Sequence, residues 1–241
     1  MPASQKLWAL AQRVVHLGFG ACNLVLILNT HQRIDFFGKS APYYDIILYL
    51  LTFGQYAKFL RRSVEILVPQ KGERILDLCS GTGRVASWMV QAVGDEGEVV
   101  GMDISKSMVE EAKRRYGGLK KVIFLNKDAT KPWEYQNYFD GIFTSFAIHE
   151  LPEKKRLGAL EHSYLALKER GRIVIADFNP QVSGIGETIL LTFLKLFERG
   201  NLNFFSFDQN EIRQFNNEVQ HLGKQKGRCY PKCLWQKNIF I

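Results

Sequence analysis

Residues 75–86 read Ile75-Leu76-Asp77-Leu78-Cys79-Ser80-Gly81-Thr82-Gly83-Arg84-Val85-Ala86. An apolar run carrying one acid passes through a glycine-punctuated turn and continues into a helix-period pattern. Further along, Val99-Val100-Gly101-Met102-Asp103 is a second apolar run ending in an acid. A strand, a tight turn, a helix N-terminus and then a strand tipped by a carboxylate form the nucleoside-binding half of a doubly wound α/β sheet. The glycines let the backbone approach a ligand closely. Asp103 is placed to accept hydrogen bonds from both hydroxyls of a ribose.

The alternation continues on both sides of this unit. Short apolar runs bounded by Gly, Asp, Asn or Lys predict strands at 74–78, 98–102, 122–126, 140–145 and 172–177, with helices over 84–93, 106–116 and 153–168. Strict β-α alternation gives a mainly parallel sheet with right-handed crossovers. Ahead of it, Tyr43 to Leu51 and Ala57 to Val68 carry helix-period apolar positions, separated by Thr52-Phe53-Gly54 and closed by Pro69 and Gly72. Behind it, 184–199 reads as an amphipathic helix, 209–222 as another helix, and 228–241 as a closing antiparallel hairpin. The expected fold is therefore α/β: a doubly wound, mainly parallel, seven-stranded Rossmann-like sheet with a C-terminal antiparallel hairpin and an N-terminal helical extension. Residues 1–40 are read as that extension and 41–241 as the ligand-binding domain.

Composition agrees with one globular α/β domain: 241 residues, 46% hydrophobic and 23% charged, with no repeat or low-complexity tract. The net charge of +8 is spread along the chain, a pattern of solvated helix faces rather than one nucleic-acid stripe. Cys22, Cys79, Cys229 and Cys233 are scattered, which points to a reducing cytoplasm. Cys229 and Cys233 have metal-compatible spacing, but His221 is the sole nearby extra ligand, so no metal site is expected. The apolar run 14–28 is shorter than the ~20 residues that span a bilayer and contains His16 and Asn23. It reads as a helix packed on the domain or in a homodimer interface. A membrane-surface helix beside Lys6 and Arg13 is the alternative, making the protein peripheral.

Gly81-Thr82-Gly83-Arg84-Val85-Ala86 also satisfies the dinucleotide pattern G-x-G-x-x-A, which by itself is weakly specific. Asp77 argues against it, because a carboxylate there repels a pyrophosphate drawn to the helix N-terminus. The same carboxylate suits a cation such as the ammonium of an amino acid. S-adenosylmethionine offers a ribose, an adenine and a cationic methionine tail, with no phosphate. Asp77 would face the tail, the Gly81–Gly83 backbone would lie beneath tail and sugar, and Asp103 would take the ribose. Asp128, after the third strand, can accept the adenine amine, with Met102 and Ile104 flanking the ring. Ser145, at the tip of the fourth strand, completes the expected cofactor set.

Over residues 40–240 the chain resembles the class I S-adenosylmethionine-dependent methyltransferases, and within them the ubiquinone/menaquinone biosynthesis C-methyltransferase family. The resemblance rests on Tyr44-Asp45, Leu51 to Gly54, Ile75 to Arg84, Val93 to Met108, Phe139 to Phe146, Leu167 to Arg172 and Asp177-Phe178. It implies that Thr82, Asp103, Asp128 and Ala129 contact the cofactor. One departure follows the fourth strand, where the quinone enzymes carry a Gly-Leu-Arg-Asn type segment. This chain has Ala147-Ile148-His149-Glu150-Leu151-Pro152 instead, closer to a generic small-molecule methyltransferase.

Methyl transfer to a phenol, enol or amine needs a base, and His149, in the loop leaving the fourth strand, is the first candidate. Glu150 and Asp177 are weaker ones. Tyr43 and Tyr44 either shape the acceptor pocket or pack in the core. Phe53, Phe59, Phe193, Phe197, Phe204, Phe205 and Phe207 load the helical additions with aromatic surface suited to a quinol-like or lipid-like small molecule. The rivals are a nucleic-acid methyltransferase, disfavoured because no Asn/Asp-Pro-Pro-Tyr motif stands at Thr144 to Ala147, and a nucleoside-binding protein without turnover.

Overall fold

A computed structural model of the chain describes residues 41–52, 54–148, 151 and 153–176. Among the described residues two helices come first, α1 (Ala41–Leu51) and α2 (Gln55–Leu67). Then β1 (Arg74–Leu78), α3 (Arg84–Val93), β2 (Glu98–Asp103), α4 (Lys106–Tyr116) and β3 (Val122–Asn126) follow in strict alternation. The chain continues through β4 (Phe139–Ser145), α5 (Glu153–Ala166) and β5 (Leu167–Ala176). Among the described residues the sheet has five strands in the order β3-β2-β1-β4-β5, every neighbouring pair parallel. The closing hairpin, and with it the sixth and seventh strands, lies outside the described residues, as do the 14–28 and 184–199 segments.

The central strands are buried on both faces, as parallel strands covered by crossover helices must be. Ile75, Val99 and Phe143 belong to one apolar cluster, against Leu60, Leu67, Met89 and Val109 from the N-terminal and crossover helices. Leu76, Leu78, Val100, Met102 and Ile142 belong to the other, against Leu160 from α5. The two-residue period of a strand produces this division. It also places Asp77 on the Ile75 side, the side that α3 covers.

Most boundaries lie within two residues of the sequence reading, and the largest difference falls between α5 and β5. Helix α5 stops at Ala166 and β5 starts at Leu167, rather than a helix to 168 and a strand from 172. Between Phe139↔Leu167 and Gly141↔Arg172 the register shifts, and Arg170 takes a positive φ of 66°. Lys168 is drawn out of the helix by Asp140, whose two carboxylate oxygens accept its ammonium at 2.7 and 2.8 Å. A charge pair across the sheet thus overrides local helix propensity.

Gly83 is the glycine whose replacement the packing forbids most plainly. Its φ is +76°, and a Cβ there would lie 2.7 Å from the Phe124 ring and 2.9 Å from the Ala112 Cβ. The turn, α4 and β3 therefore close on one another only because position 83 carries no side chain.

Candidate functional site

The strand order reverses between β1 and β4, and open α/β sheets bind ligands outside the C-terminal ends of the strands at such a switch point. Three buried polar side-chain atoms with no hydrogen-bond partner among the described residues cluster by sequence at that edge. They are Asp77 Oδ2 in β1, Ser80 Oγ just after it, and Thr144 Oγ1 in β4, whose residue pairs with Leu78. A buried polar atom without a partner is costly, and sites of this kind are where ligands supply one.

Asp77 is the centre of the arrangement. It is fully buried, and the backbone N–H of Ala86, in the first turn of α3, hydrogen-bonds its carboxylate. Burial pushes its pKa up to about 8, the Ala86 bond pulls the other way, and the nearby Asp103 carboxylate adds to the rise. A cation brought against Oδ2 would supply the missing partner and offset the desolvation. The sulfonium and ammonium of an S-adenosylmethionine tail have that chemistry; a pyrophosphate does not.

The turn after β1 is built for close approach. Gly81 (φ 51°) and Gly83 (φ 76°) are left-handed, and a Cβ on Gly81 would meet no atom of the described residues within 4 Å beyond its chain neighbours. Open space above that backbone is where a ligand can lie. The Ser80 N–H donates to the Met102 carbonyl at 3.0 Å, and the Gly83 N–H to the Ser80 carbonyl at 2.9 Å. Thr82, between the glycines, is buried and its hydroxyl donates to Asp45 Oδ2 at 2.8 Å. With the hydroxyl turned away to Asp45, a cofactor contact at Thr82 falls to its backbone.

Asp103 ends β2 and staples the turn to it. Its Oδ2 accepts the Gly81 N–H and its Oδ1 the Ser105 N–H, each at 2.8 Å. Burial raises its pKa above the ordinary carboxylate value, opposed by the bonds from Ser105 and Gly81. Each oxygen keeps a second lone pair, so the ribose role is compatible with the staple. Asn126 holds the strand exit by donating to the carbonyls of Asp103 (3.0 Å) and Ile104 (2.8 Å).

The adenine end differs in one respect from expectation. Met102 is fully buried in the α5-side cluster, because alternation along β2 turns it into the core. Ile104, 46% exposed, is the accessible one of the two residues expected to flank the ring. Asp128 Oδ1 accepts both the Thr130 N–H (2.8 Å) and the Thr130 hydroxyl (2.7 Å). Burial alone would raise its pKa, but these bonds with Lys155 and Lys131 outweigh it and hold it below the ordinary range. Ala129 is buried beside Trp133, so any contact it makes runs through its backbone.

Ser145 ends β4 next to Phe146, whose backbone is left-handed at φ 50°. Phe146 stacks on Tyr56 (ring centroids 5.3 Å apart) and tilts against Phe59 (5.1 Å), both on α2. Phe59 was legible as an aromatic addition; Tyr56 and Phe146 were not, since nothing local distinguishes them from core residues. Tyr43 is 65% exposed, which removes the core-packing reading for it. His149, Glu150 and Asp177, the candidate bases, and Phe53 lie outside the described residues.

Sequence reasoning assigned no role to Asp45, Arg84 or Arg115, although they form the main charged cluster beside the turn. A signal existed: Asp45 shares an inward helix face with Ala41 and Leu48, where an acid needs partners. No group of three or more His, Cys, Asp or Glu arranged for a metal occurs among the described residues. No helix among them is long and apolar enough to cross a membrane.

A model of the ubiE/COQ5 methyltransferase family matches residues 27–197. The ubiquinone/menaquinone biosynthesis C-methyltransferase UbiE of Yersinia enterocolitica is 32% identical over 148 residues, covering 60% of this chain and 58% of that protein. The UbiE protein of Yersinia pestis matches to the same extent. The match thus spans less than two thirds of those relatives' length. Among solved structures, a SAM dependent methyltransferase from Aquifex aeolicus is 25% identical with a TM-score of 0.48, covering 55% of this chain and 77% of its own. An S-adenosylmethionine dependent methyltransferase from Mesorhizobium loti is 25% identical with a TM-score of 0.45, covering 50% and 52%.

Proposed function

Because the chain belongs to the ubiE/COQ5 methyltransferase family, we propose that it transfers a methyl group from S-adenosylmethionine to a small apolar or aromatic acceptor of quinol type. The observation that carries the reading is Asp77: a fully buried carboxylate with one oxygen unpartnered among the described residues, beside a glycine turn whose Gly81 none of them crowds. When bound, the donor supplies an electrophilic methyl group on a sulfonium. Asp77 holds the cationic tail, the Gly81 to Gly83 backbone seats tail and sugar, Asp103 takes the ribose hydroxyls, and Asp128 with Ile104 receives the adenine.

The work left to the protein is placement. Holding an acceptor carbon in line with the methyl at near-attack distance can supply several kcal/mol of the barrier. Tyr56, Phe59 and Phe146 provide an aromatic wall beside the β4 tip, which suits a flat ring. A ring carbon that gains the methyl must shed a proton, and His149, which directly follows the buried Ile148, is the base in this reading.

Calorimetric unfolding with and without ligand tests the cofactor. S-adenosylmethionine and its demethylated product at 100 times their dissociation constant should each add ~2.7 kcal/mol to stability, while NAD adds none. Stabilisation by NAD alone would refute the reading. Turnover of methyl-labelled donor against a panel of demethylated quinols, phenols, lipid amines and thiols then identifies the acceptor.

A further inference from the structure

We propose that Asp45 is a positioning residue for cofactor capture: through Thr82 it sets the Gly81–Gly83 turn, and through Arg84 and Arg115 it ties helix α1 to that turn. The inference rests on the function proposed above and adds to it a residue outside the sheet.

Asp45 is 5% exposed, and a carboxylate taken from water needs close, well-formed partners. It has three. The Thr82 hydroxyl donates to Oδ2 at 2.8 Å, Arg115 Nη1 to the same oxygen at 2.5 Å, and Arg84 Nε lies 3.3 Å from Oδ1. Arg115 also donates from Nη2 to the Pro42 carbonyl at 2.7 Å and pairs with the buried Glu111, one turn earlier in α4. One carboxylate therefore joins α1, the turn, the first residue of α3 and the last turn of α4.

Thr82 carries the only side chain in the Gly81-Thr82-Gly83 turn. The glycines on either side have no side chain for packing to grip, and both are left-handed, a region that costs them little to enter or leave. Backbone bonds to Asp103 and Ser80 fix the two ends of the turn. Its middle is fixed by the Thr82–Asp45 bond, which spans 37 positions of sequence. Without that bond the turn samples other shapes, and the ligand must pay the ordering cost on binding.

The test is S-adenosylmethionine binding by calorimetry together with methyl-transfer kinetics on the full chain. Asp45→Ala should raise both Kd and KM for S-adenosylmethionine about tenfold or more, with kcat of the folded enzyme within about twofold of wild type. Asp45→Asn, which keeps an acceptor for Thr82, should fall between. Thr82→Val should raise Kd about fivefold, Thr82→Ser should restore it, and Asp45→Ala with Thr82→Val should bind no more weakly than Asp45→Ala alone. A purely structural role would lower the melting temperature and the active fraction without moving KM. If Asp45→Ala does not fold, the Thr82→Val and Thr82→Ser pair decides. Wild-type affinity in either Asp45→Ala or Thr82→Val overturns the inference alone. A wild-type protein that does not bind S-adenosylmethionine overturns the proposed function, and this inference with it.

Discussion

The two ends of the sheet handle charge in opposite ways. At the N-terminal edge of the strands, Glu73, Arg74, Glu98, Asp140, Lys168 and Arg172 all have partners. Arg172 makes two bonds to Glu73 at 2.8 and 2.6 Å and also caps the Leu67 and Val68 carbonyls at the end of α2. Lys168 holds Asp140, the Arg74 guanidinium lies 4.5 Å above the Tyr138 ring, and the Tyr138 hydroxyl donates to Glu98 at 2.6 Å. At the C-terminal edge Asp77, Ser80 and Thr144 keep buried polar atoms without partners among the described residues. One edge spends its polar groups on stability, and the other holds them for a ligand. The difference separates a support from a site within a single sheet.

The sharpest way to break that comparison is Asp77→Asn. It should weaken S-adenosylmethionine binding by about 100-fold or more, ~3 kcal/mol, because a desolvated charge pair loses one partner. Titration calorimetry measures this, and near-normal affinity would show that Asp77 does not face the cationic tail.

The same variant should gain stability without ligand, and pH gives the sign. Folding raises the Asp77 pKa from its ordinary 3.8 to about 8, so the folded protein binds the proton more tightly than the unfolded chain. Its contribution is fully present below about 4 and is lost as pH rises to about 8. The melting temperature of Asp77→Asn should therefore pull ahead of wild type across that window and stay level above it. Calorimetric scans at intervals of pH check this; a gap independent of pH would mean that the carboxylate is not desolvated. Below pH 8, donor binding should release up to about one proton, read from the buffer dependence of the binding enthalpy.

Gly83→Ala should cost about 1–3 kcal/mol through its positive φ and the Phe124 and Ala112 contacts, measured by denaturant unfolding. Gly81→Ala, where a Cβ enters open space, should cost less stability yet weaken the donor more.

The smallest effect belongs to the opposite edge. Arg172→Met should cost about 1–2 kcal/mol, since the pair is partly exposed, and leave donor affinity within about twofold. A large loss of binding there would erase the distinction between the two edges.

Much of this molecule was legible along the chain. The bounds of β1, α3, α4 and β3 match those read from apolar periodicity and turn residues, because period and turn chemistry are local properties. So were the glycine turn and the acids at 77, 103 and 128, since parallel strands joined by crossover helices bring their C-terminal ends to one edge of the sheet. The burial of Met102 was harder to see, because it depends on which face of β2 meets α5.

What the amino-acid order determined by itself was the α/β alternation, the glycine turn and the placing of three acids at successive strand exits. Tertiary structure decided the rest: that Thr82 answers to Asp45, that Asp77 keeps one oxygen unpaired among the described residues, and that β1 and β4 lie side by side at the switch point. The reason is distance. Secondary structure follows from neighbours a few residues apart, whereas the partner of a buried polar group is chosen by elements that meet only when the sheet closes.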